Sequence, residues 1–200
     1  DHRSSFSKKI LGIEGQPTQE QIGRIKGLKK LIFRAFLKVR TEVENPQNLG
    51  ILVDEGYGKE ILNEANGKGI ITSVSVEKSG QEVFTFEYGK DFGQHILETD
   101  PAYVKVLVRY NPENKRINRK QIKRLKKLSK FCVENDKNLL FELLVPPTKK
   151  DLKASEDYGT NIRPRKTAQA LIEIAEKINV NIWKLEGFDS VGWNTVPEVL

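Results

Sequence analysis

Four charged side chains stand where apolar ones would be expected. Lys105 lies within "YVKVLVRYNP" (103–112), Lys184 within "NIWKLEG" (181–187), Glu142 within "NLLFELLVPP" (138–147) and Glu77 within "ITSVSVEKSG" (71–80). Each run reads as a buried strand, where an uncompensated charge costs several kcal/mol. Charges that merely pair, such as Lys105 with Glu142, explain neutrality but not why apolar residues were not used instead. A reaction chamber explains both. Desolvation and a second cation disfavour the protonated form of a lysine, and a neutral amine adds to a carbonyl to form a Schiff base. The iminium then draws electrons from a neighbouring carbon–carbon bond while a carboxylate moves protons. Lys184 as nucleophile, Lys105 as its electrostatic partner, and Glu142 or Glu77 as acid/base would make a class I aldolase site. Spacing alone leaves Lys105 equally eligible as nucleophile. The scheme expects the Lys184 amine in a dry polar pocket.

Strand alternation places these groups. Val104, Val106 and Val108 share one face of 103–110, and Lys105, Leu107 and Arg109 share the other. Glu142 lies with Leu140 and Leu144; Lys184 lies with Glu186, opposite Trp183 and Leu185. Glu77 follows Ser73 and Ser75. Arg109 would bind a substrate phosphate or hydroxyl, or pair with Glu142. Asp54 closes "ILVD", and its phase favours the lumen over a helix cap.

The elements that must position them alternate. Helices are expected over 18–40 (Thr18 as N-cap), 57–67, 90–98, 117–135 and 165–178. Strands are expected over 50–56, 70–77, 103–110, 138–145 and 180–186. Short connections between strand and helix imply parallel βαβ units. No glycine-rich nucleotide fingerprint follows any strand. Charged residues in strand after strand suit an α/β (β/α)8 TIM barrel whose upper lumen is the site. The expectation is one domain over 1–200. Five strands are countable and a sixth would end at Asp1, so parts of the barrel would lie outside the sequence. The start on Asp1 and the absence of Met fit that expectation.

Composition narrows the class. The chain has 200 residues, of which 38% are hydrophobic and 30% charged, with a mean hydropathy of −0.51. This is a globular composition with no membrane-spanning run. A single cysteine, Cys132, excludes an internal disulfide and points to a cytoplasmic setting. His2 and His95 are the only histidines, too few for a His-rich metal site; no metal or cofactor is expected. His95 reads as a surface or capping residue, Cys132 as a buried apolar one. The net charge of +7 gathers in "KRINRKQIKRLKKLSK" (115–130), which has nine basic residues and no acidic one. Apolar residues there recur at helical spacing, and no aromatic is interleaved for base stacking. The segment therefore reads as a solvated helix face rather than a nucleic-acid module.

"DHRSSF", "ILVDEGYG", "VEKSG", "VKVLVRYNP", "LLFELLVP", "RP" (163–164) and "IWKLEG" occur in that order. Together they resemble an aldolase-like family of bacterial myo-inositol catabolism, a domain also found fused behind a sugar kinase. That family is similar in turn to the class I tagatose-bisphosphate aldolases, which are barrels. The resemblance implies Lys184 as the Schiff-base lysine, Lys105 as the second lysine, and Glu77 and Glu142 as active-site carboxylates. It places Asp1 in the site and sets His2 where the tagatose enzymes carry glutamine. Asp1, His2, Arg3, Asp54, Arg109 and Glu186 would then contact substrate. The implied substrate is a phosphorylated keto sugar or sugar acid, deoxy-keto-gluconate phosphate or a tagatose-bisphosphate-like sugar. Self-association into a homo-oligomer is left open. Rival readings are a metal-dependent aldolase, a barrel that binds sugar phosphates without turnover, and a nucleic-acid-binding module using 115–130.

Overall fold

A computed structural model describes residues 4–154 and 156–196. The chain is α/β, with strands and helices in alternation. It divides into two compact units, one of residues up to 80 plus 87–104, the other of 81–86 plus 105 onward. Five strands occur among the described residues, fewer than the eight of a closed barrel. No helix among the described residues is long and apolar enough to cross a membrane.

The first unit opens with α1 (Ser4–Leu11) and α2 (Gln19–Arg40). Thr18 caps α2 as expected: its hydroxyl accepts from Gln21 N at 3.3 Å, and the Gln21 side chain accepts from Thr18 N at 2.8 Å. Strand β1 (Gly50–Val53) leads into α3 (Glu55–Gly67), β2 (Ile71–Ser75) and α4 (Phe92–Thr99). β1 and β2 pair in parallel, Val53 beside Val74. Phe33, Val53, Ile61, Leu62, Ala65, Ile70 and Val74 form the core between them. Position 58 requires glycine, because a Cβ there would lie 2.2 Å from Val53 Cγ1. β1 is shorter than expected and α3 begins earlier, because Asp54 turns the chain into the helix. α1 was not legible: eight residues give too few turns for an apolar stripe to stand out.

The second unit contains most of β3 (Tyr103–Arg109), then α5 (Lys115–Glu134), β4 (Asn138–Leu144), α6 (Arg163–Ala175), β5 (Ile182–Leu185) and α7 (Ser190–Thr195). α7 also escaped notice; Asp189 caps it by accepting from Gly192 N at 2.7 Å. β4 and β5 pair in parallel, with Glu142 beside Lys184. Asn181 locks that ladder at its start: its side-chain oxygen accepts from Leu139 N at 2.8 Å, and its own N–H donates to Leu139 O at 3.0 Å. Val106 and Val108 of β3 are fully buried, as are Leu139 and Phe141 of β4. On β3 this is the valine face that alternation sets opposite Lys105, and on β4 it is the face opposite Glu142. Gln121 of α5 pins the 81–86 segment, accepting from Phe84 N at 2.8 Å while donating to Arg109 O at 2.9 Å.

Candidate active site

The second unit brings three of the expected residues together. Lys105 projects from the face of β3 opposite the valines and is almost wholly buried, with 4% of its side chain exposed. Its ammonium lies 2.9 Å from Glu142 Oε2. Lys184 comes from β5, directly across the ladder from Glu142, and donates to the other oxygen, Oε1. One carboxylate thus receives two ammonium groups. Burial alone would raise the Glu142 pKa, but the hydrogen bonds and charges of Lys184 and Lys105 outweigh it and hold the group below its ordinary value. Glu142 is therefore ionised at neutral pH.

The expected dry pocket around Lys184 is corrected by the structure. Its side chain is 53% exposed, because Ile182 and Lys184 occupy the open face of β5 while Trp183 turns inward against Phe141, ring centroids 5.1 Å apart. The sheltered amine is Lys105, and the reachable one is Lys184.

Arg109 makes no ion pair among the described residues, so of its two expected roles the pair with Glu142 is not the one seen; it donates to the carbonyl of Gln81 at 2.9 Å. Glu186 lies 3.7 Å from Arg163 Nη1. Arg163 also donates to Gly187 O at 2.9 Å and sits over the Phe188 ring at 4.7 Å. Sequence reasoning gave Arg163 no role beyond membership of the "RP" motif. A second cluster was missed altogether. Lys166 donates to both oxygens of Asp151, at 2.7 and 2.8 Å, and lies 3.2 Å from Glu113. Thr148 N donates to the same Asp151 at 2.7 Å. Burial opposes the charge on Asp151, but these partners prevail and bring its pKa down to about 2. The network ties the loops after β3 and β4 to α6. Its signal was diluted over a charged stretch of the sequence in which no strand or helix phase applies.

Two of the remaining expected residues belong to the first unit. Glu77 is buried in the first unit, two residues beyond β2. Asp54, expected in the lumen, is instead a cap: it accepts from Tyr57 N at 2.8 Å and pairs with Lys29 of α2. Asp1, His2 and Arg3 fall outside the described residues. His95 is more engaged than a surface residue. Its Nδ1 is 2.9 Å from Glu55, and its ring stacks on Tyr88 at 3.5 Å. Glu55, His95 and Glu98 bring three donor atoms within 4.8 Å of one another, the arrangement that could hold a metal ion. Cys132 is buried as expected, its thiol pushed up to about 12 by burial.

The site is therefore that of an α/β protein carrying a lysine–carboxylate–lysine cluster across three neighbouring strands, β3, β4 and β5. The chain belongs to the family described as "Uncharacterized protein conserved in bacteria (DUF2090)", whose model matches residues 1–200. No curated protein matches it.

Proposed function

We propose that the protein is a class I aldolase that cleaves a phosphorylated keto sugar or sugar acid through a Schiff base on Lys184. One observation carries this reading: two lysines address opposite oxygens of one carboxylate, and only Lys184 is open to an incoming ketone. Its amine, once neutral, adds to the substrate carbonyl, and loss of water gives an iminium. Glu142, ionised between its partners, takes the proton from the β-hydroxyl as the carbon–carbon bond breaks. The bonding electrons move into the iminium and leave an enamine, which is then protonated and hydrolysed to free the second product. Lys105 keeps the carboxylate in place and supplies a fixed positive charge beside the reacting carbonyl.

The sequence resemblance to the inositol-catabolism family supports deoxy-keto-gluconate phosphate as substrate, cleaved to dihydroxyacetone phosphate and malonate semialdehyde. It also supports an eight-stranded barrel, and the single cysteine supports a cytoplasmic location. Borohydride reduction in the presence of that substrate is expected to fix a mass on the peptide carrying Lys184. No adduct, or an adduct that persists in Lys184→Ala, removes this mechanism. The exposure of Lys184 favours a second reading, a barrel that binds sugar phosphates without turnover. Thermal stabilisation by the sugar phosphate with no product released would select it.

A further inference from the structure

The outer face of α5 carries an unusual charge array. Arg116, Arg119, Lys120, Lys123, Lys126 and Lys127 are all exposed. None of the six has an ion-pair partner among the described residues; the pairs on this helix are those of Lys115 with Glu173 and Lys130 with Glu134, towards its two ends. At 3.6 residues per turn the six fall within an arc of about 120°. The opposite face is buried through Leu125, Leu128 and Cys132. α5 alone has nine cations and one carboxylate, so the rest of the chain, in a protein of net charge +7, is close to neutral.

A helix that needed only solvation would gain from Glu–Lys pairs three or four residues apart. Here every such neighbour along the stripe is a like charge, which destabilises the helix. An external polyanion relieves that repulsion. The array is a line rather than a disc: six charges over about 16 Å of axis, one per about 3.3 Å, against one phosphate per about 3.4 Å along a nucleic-acid strand. No exposed aromatic lies in the arc to stack on a base or enter a lipid interface. The helix's two amides, Asn118 and Gln121, are buried, so neither is free to read adenine.

We propose that this face binds the phosphate backbone of duplex nucleic acid without reading its sequence. The assignment is independent of the aldolase reading, since α5's outer face carries none of the residues of that site. Binding of the intact protein to fluorescent 20-base-pair DNA and RNA duplexes tests it. Affinity for at least one duplex is expected to fall about 500-fold between 50 and 200 mM salt, the slope of about five phosphate contacts. The triple variant Arg119→Glu/Lys123→Glu/Lys127→Glu should flatten that slope by about three units. The control Lys9→Glu/Arg34→Glu/Lys38→Glu, of equal charge change, should retain most of it. Unchanged thermal melting of both variants shows that folding is intact. The proposal is overturned by no binding at 50 mM salt, by equal loss in both triple variants, or by tighter binding to phosphatidylserine vesicles than to either duplex.

Discussion

Glu142 stands directly across the parallel β4–β5 ladder from Lys184 while its second oxygen, 2.9 Å from Lys105, holds a buried cation. The two lysines are therefore unequal in what their loss should do. Lys184 is half-exposed, and exposed pairs contribute about 0–1 kcal/mol. Lys184→Ala is expected to melt within a few degrees of the parent while losing all borohydride trapping.

Removing the carboxylate should hurt the fold. Glu142→Gln deprives the buried Lys105 ammonium of the charge 2.9 Å away, and breaking a buried pair costs about 3 kcal/mol. Urea denaturation should show that loss, and aldol cleavage should fall about 100- to 10,000-fold with the acid/base group. An equal stability loss in Lys184→Ala would contradict the division of labour between the amines.

Acid should unfold the protein through its depressed carboxylates. Asp151 moves from 3.8 to about 2 on folding. Its contribution is thus complete above pH 3.8 and disappears as the pH falls towards 2. Glu142, also lowered from 4.5, acts in the same direction, its contribution being lost as the pH falls below that value. Asp151→Asn should be less stable at neutral pH and show a shallower loss between pH 4 and 2, measured by circular dichroism.

Gly58→Ala places a methyl group 2.2 Å from Val53 Cγ1. Overpacking of this kind costs about 1–3 kcal/mol, and Val53→Ala in the same chain should recover part of it. Failure of the double variant to recover would mean that the α3–β1 approach is not what demands glycine.

Cys132 should resist a thiol reagent until the chain unfolds. It is buried on α5 and its thiol is raised to about 12. Labelling by a disulfide reagent at pH 8 should track global opening, accelerating with urea rather than with reagent concentration.

Much of the architecture was legible because its periods are clean. Valines at 104, 106 and 108 show which side of β3 packs, and Lys105 follows by alternation. Thr18 with Gln21 announces the start of α2. Asp54 was read the wrong way because strand phase was carried one residue past the strand; an aspartate at that junction also satisfies the N–H groups of the coming helix, and here that role won. The half-exposure of Lys184 was not legible either. Alternation tells which side a residue faces, but not what covers that side. Lys166, Asp151 and Glu113 meet through loops, where no repeat links sequence position to direction.

Asn181 is remote from any bond-breaking step, yet its amide and backbone bracket Leu139 and fix where β5 starts along β4. A slip of one residue there would set Glu142 against Trp183 or Leu185 and take Lys184 away from its carboxylate. The encounter of cation and anion is thus decided at the mouth of the ladder, so that an uncharged side chain three residues upstream governs whether the acid ever meets its amine.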